Sequence, residues 1–99
     1  MLDFYLINDE QAMPKYPEQL RLEFAGQLNE ETFGNLQNKG ILDLRMDYYS
    51  DFRMGTTEIK QIRQTIIKKQ IDSDSDVKKL MALLDIADQK QCGLMAFGD

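Results

Sequence analysis

Between Ile41 and Met54 the polarity of the chain alternates with period two. Leu42, Leu44, Met46, Tyr48, Phe52 and Met54 fall on even positions, with Ser50 the one exception, while Asp43, Arg45, Asp47, Tyr49, Asp51 and Arg53 fall on odd ones. Successive side chains of an extended backbone point to opposite faces. The spacing therefore predicts an apolar row toward the core and a charged row around one tyrosine toward solvent. A helical stripe through Ile41, Leu44, Tyr48 and Phe52 also exists. It would stack Asp43, Asp47 and Asp51 as like charges one turn apart, so extension is the preferred reading.

The other elements are read in the same way. Leu2 to Ile7 is a short apolar run with two aromatics, a strand that can be buried on both faces. Asn8 to Pro17 holds Pro14 and Pro17 among polar residues and reads as a loop. Leu20, Leu22 and Phe24 alternate with Arg21 and Glu23 before Gly26. A second strand is expected over Leu20 to Ala25, although the residue types there also suit a helix. Asn29 stands as a helix N-cap before Glu30 and Glu31, with Leu28 and Phe33 at staple spacing and Lys39-Gly40 as the stop, where Ile41 can close on Leu36. This predicts a short helix from Glu30 to Lys39.

Gly55 ends the alternating segment, and Thr56 or Thr57 is placed to cap a helix from Glu58 to Gln70 with Ile59, Ile62 and Ile66 as its buried stripe. After the loop Asp72-Ser73-Asp74-Ser75, a second helix from Asp76 to Gln91 carries Val77, Leu80, Met81, Leu84 and Ala87. So short a connection predicts an antiparallel hairpin. Leu94 to Phe97 reads as a last strand. The expected architecture is a single α+β domain over residues 1–99, a sheet of about four strands covered by an antiparallel helix pair, plus one short helix.

Charge adds a partner class to this picture. The net charge is −5, and the whole acidic excess lies before Glu58, since acids and bases balance from there on. Such a surface does not suit nucleic acid, whose phosphates need a basic patch; a basic protein is the natural partner. No window is long and apolar enough for a membrane span, and Met1 to Asp9 lacks the basic region of a signal peptide. With one cysteine, Cys92, no internal disulfide is possible, and a cytoplasmic location is expected.

Candidate chemistry is sparse. Asp72, Asp74 and Asp76 have the spacing that opens a calcium loop, but the sixth position is Val77 where glycine is needed and the twelfth is Leu83 where glutamate is needed. Helix capping is the better reading, and neither a metal nor another cofactor is expected. The chain holds no histidine, the commonest general base. Cys92 follows a helix C-terminus, whose negative end disfavours a thiolate. An enzyme is not expected. What remains is the charged row: Asp43, Asp47 and Asp51 to steer a basic partner, Tyr49 to anchor it, and Arg45 and Arg53 to hold the carboxylates or touch the partner directly.

With its Asp47-Tyr48-Tyr49-Ser50-Asp51-Phe52-Arg53 segment and the terminal Gly93-Leu94-Met95-Ala96-Phe97-Gly98-Asp99, the chain resembles the small acidic bacterial immunity proteins that neutralise polymorphic or contact-delivered toxins. The likeness is one of size, acidity and an Asp/Tyr-rich segment, so it transfers no site residues. It implies a non-catalytic protein that occludes its partner, a toxin domain, through an acidic, aromatic-bearing face. Two other readings stay open, a structural or adaptor subunit of a larger assembly and a small-molecule sensing module. The oligomeric state is not legible.

Overall fold

The apolar run Leu2–Ile7 forms strand β1 at the bounds its composition predicts, in a computed structural model that describes residues 1–12 and 21–98. It is followed by β2 (Phe24–Leu28), α1 (Glu30–Asn38), β3 (Phe52–Met54), α2 (Thr56–Lys69), α3 (Ser75–Gln89) and β4 (Gly93–Phe97). The strands form one antiparallel sheet in the order β2-β1-β4-β3. An α+β fold of the expected size results.

β4 explains its own composition. Hydrogen-bonded to β1 on one side and β3 on the other, it is buried at all five positions. Leu94 and Ala96 join the main core with Leu2, Phe4 and Leu6 of β1, while Met95 and Phe97 join Ile7, Tyr5 and Leu22 in a smaller cluster. A strand covered on both faces has no use for polar alternation.

α1 is built as its sequence predicts. The Asn29 side chain accepts the Thr32 N–H at 2.8 Å. At the other end Gly40 takes φ +74°, its N–H reaches the Gln37 carbonyl, and the Ile41 N–H reaches that of Leu36 at 2.9 Å. This is the two-bond helix stop that glycine makes possible. α3 also opens as expected, with the Asp74 carboxylate accepting the N–H groups of Asp76 and Val77. Those bonds and Lys39 hold its carboxyl below the usual range. Asp74 is thus a capping residue, and Asp76 joins Asn35 and Lys39 of the α1 region. Arg63 of α2 pairs with Asp85 and Asp88 of α3, which fixes the two helices as opposed arms of a hairpin. Ile59, Ile62 and Ile66 share the main core with Val77, Leu80, Leu84 and Ala87.

Four expectations need correction. The second strand starts at Phe24 and runs to Leu28, because Arg21 takes φ +52° and turns the chain first; Leu20 lies outside the described residues, as does the second half of the Asn8 to Pro17 loop. α2 begins at Thr56, and neither threonine is its N-cap: Gly55 is, and it has no side chain to offer. The cap arrives from elsewhere, since the Asp9 carboxylate accepts the Thr56 N–H at 3.1 Å and the Thr56 hydroxyl. α3 ends at Gln89 rather than Gln91, and Leu83 lies in its buried stripe, with Met81 only half-buried. The fourth correction is the largest, because only Phe52–Met54 of the segment Ile41 to Met54 is a strand.

Candidate functional site: an acidic, aromatic loop

The rest of that segment is a chain of turns. Asp43 accepts the Arg45 N–H on its side chain at 2.8 Å, and its carbonyl accepts the Met46 N–H. Asp47 repeats the pattern four residues on. Its carboxylate accepts the Tyr49 N–H at 3.0 Å and the Ser50 hydroxyl, and its carbonyl accepts the Ser50 N–H. Aspartate competes well for backbone donors two residues ahead, and this local option defeats the ladder that the alternation suggests. The Gln37 side-chain amide of α1 closes the arrangement by donating to the carbonyls of Asp43 and Met46 at 3.0 and 2.8 Å.

Burial nevertheless follows the predicted parity for most of the segment. Leu42 is buried, Met46, Tyr48 and Phe52 are half-buried against the core, and Asp43, Arg45, Asp47, Tyr49 and Asp51 are exposed. The Tyr48 ring stands 5.8 Å from that of Phe33, and Phe52 lies between Phe33 at 6.2 Å and Phe4 at 6.3 Å. These rings seat the loop on α1 and the sheet. Gly98, just past β4, completes the seat: a Cβ there would come within 2.4 Å of the Tyr49 carbonyl carbon and 2.7 Å of the Ser50 nitrogen. Only glycine lets the two backbones approach so closely.

The five predicted site residues are brought to one region but not to one role. Asp43 is committed internally. Arg45 grips it through two guanidinium nitrogens, with a closest approach of 2.7 Å, and that pairing with the backbone bond holds its carboxyl at about 2. Asp51 accepts the Gly98 N–H at 3.1 Å. Arg53 donates to the carbonyls of Gln11 at 2.6 Å and Asn8 at 2.9 Å, clamping the chain after β1, in place of the expected hold on the aspartates. Tyr49 is 58% exposed. Its hydroxyl donates to Glu30 at the start of α1, and that carboxylate raises its pKa. Asp43, Asp47 and Asp51 line a shallow hollow of about 430 Å³ whose other walls are Arg45, Met46, Ser50 and Phe52.

Two residues of this surface escape the sequence pattern. Leu44, assigned to the core by parity, is 75% exposed because it rides the first turn between Asp43 and Arg45. Glu30 reads as a helix-opening carboxylate, and nothing in the sequence links it to Tyr49. A signal for Leu44 does exist: aspartate is favoured at a turn's first position, so Asp43 marks Leu44 as a turn residue. Elsewhere, a polar hollow of about 690 Å³ lies along Asn8, Asp9, Glu10, Gln11, Thr56 and Gln91, and burial raises the pKa of Cys92. Among the described residues no group of three or more acidic, cysteine or histidine side chains is arranged to hold a metal, and no helix is long and apolar enough to cross a membrane.

The site thus belongs to a small α+β domain with an acidic, aromatic loop fixed on its sheet. Comparison with known families, curated proteins and solved structures yields no match for this chain.

Proposed function

We propose that this chain is a non-catalytic cytoplasmic binding protein, immunity- or inhibitor-like, which occludes a basic protein partner with the loop from Asp43 to Asp51. One observation carries the reading: Tyr49 and Leu44 stand out from the surface on a loop held by turns, a core-seated aromatic pair and Gly98, with Asp47, Asp51 and Glu30 around them. A preorganised loop loses little conformational entropy on binding, so exposed aromatic and aliphatic anchors contribute most of their contact to affinity. The surrounding carboxylates speed encounter with a cationic surface and discourage acidic ones. The resemblance to toxin-neutralising proteins supports a toxin domain as the partner.

The experiment is affinity capture from the source cells with the wild-type chain and with Tyr49→Ala and Asp47→Lys/Asp51→Lys variants. A basic protein retained by the wild type at low salt, and lost with both variants, is the expected result. Equal retention by all three proteins would refute the assignment of this loop.

A further inference from the structure

A strand at the edge of a sheet turns one row of backbone N–H and C=O groups away from its only partner. β3 is such a strand. It pairs with β4 through Phe52↔Ala96, Arg53↔Met95 and Met54↔Leu94, and among the described residues no strand lies beyond it. The opposite edge differs. β2 pairs Phe4 with Gly26 but Tyr5 with Phe24, so Ala25 bulges, and a bulge twists an edge away from incoming strands. The register of β3 is unbroken.

Chemistry around β3 narrows what such an edge would accept. Pairing with β4 stops at Phe52 because the Gly98 N–H is taken by the Asp51 carboxylate. The hollow at Phe52, the first residue of the strand, is walled by Met46 and by three aspartates against one arginine, Arg45. A chain laid along β3 would carry alternate side chains past the apolar Met46 and Phe52 and past the two carboxylates. An acidic segment would be repelled there, whereas lysine or arginine would place its methylenes on Met46 and Phe52 and its charge beside Asp47 and Asp51.

We infer that the edge of β3, open among the described residues, is a docking site for an extended, lysine- or arginine-bearing segment of a protein partner, added to the sheet as a fifth strand. The inference rests on the binding role of the adjoining loop and names how the partner is held: main-chain bonds for affinity, and the Asp47/Asp51 pair for choice of sequence.

The test uses the full chain and a capped hexapeptide of alternating lysine and valine, followed by amide NMR. Two control peptides are its glutamate–valine counterpart and the same lysine–valine peptide with every second amide N-methylated. Strand addition predicts shifts and slowed exchange at Phe52–Met54 with the basic peptide, and none with either control. Shifts confined to Asp43–Asp51, with the methylated peptide binding equally well, would overturn strand addition and leave the loop as the binding surface. Absence of binding by the basic peptide would also overturn it, while the role of the loop is judged separately by the Tyr49→Ala capture.

Discussion

β1 and the loop from Ile41 to Asp51 both divide their side chains between two faces, but β1 has no exposed residue whereas the loop leaves one face open, and they reach the division by different routes. In β1 the pleat does it. The backbone is bonded to β2 on one side and β4 on the other, so Leu2, Phe4 and Leu6 face the helices while Tyr5 and Ile7 face the opposite side. In the loop two aspartate-led turns, four residues apart, swing Met46 and Tyr48 inward and Leu44 and Tyr49 outward. Alternation reports which side chains are buried, and local competition for backbone donors decides how the chain delivers them.

The sharpest way to separate the two regions is to remove what each depends on. Phe4→Ala empties the centre of the strand-built region and should lower unfolding free energy by about 4 kcal/mol, measured by denaturant titration. On the loop side, Gly98→Ala forces backbone apart from backbone and should cost about 2 kcal/mol. Faster amide exchange at Tyr48 to Ser50 should accompany it, and unchanged stability would show that the loop is not seated on Gly98. Asp47→Ala tests the turn directly. Loss of the carboxylate that accepts the Tyr49 N–H and the Ser50 hydroxyl should cost about 1 kcal/mol, whereas a solvent-facing strand aspartate would be neutral when replaced.

Tyr49→Ala should move stability by only about 0.5 kcal/mol, since the ring is exposed; a larger loss would make Tyr49 a structural residue rather than an anchor. The smallest effect concerns acid. The folded-state pKa of Asp43 lies below its ordinary value of 3.8, at about 2. Its contribution to stability is therefore complete above about pH 4 and is lost as pH falls toward 2. The acid limb of a pH–stability curve should be shallower for Asp43→Asn than for the wild type, with no difference between pH 5 and 7.

Most of the sheet and all three helices were legible because their signals are local or strongly periodic. The Asn29 cap, the Lys39-Gly40 stop and the isoleucine stripe of α2 each predict what forms. The place of β4 between β1 and β3 was not legible, since a run of apolar residues gives burial on both faces but no neighbour. The Asp9 cap of α2 was hidden for a similar reason: the acceptor and Thr56 are far apart in sequence. Within the candidate site, the acidic character and the outward Tyr49 were readable from parity. The pairing of Arg45 with Asp43 was among the expected uses of the two arginines, but the turn of Arg53 toward the carbonyls of Asn8 and Gln11 was not, because those acceptors are far away in sequence.

The position of β4 has a kinetic consequence. β1, the first strand, and β4, the last, share the central ladder, with Asp3 opposite Phe97 and Ile7 opposite Gly93. Before that ladder closes, no backbone ladder connects the β1–β2 pair to β3, and the helices have only one another and fragments of sheet to cover. Closing it brings together segments separated by nearly the whole described chain, a contact that costs much loop entropy before it is rewarded. Assembly of the Tyr49 loop is tied to the same event, because Gly98, on which the loop rests, is carried into place by β4. The proposed binding surface is thus complete only once the two ends of the sheet have met.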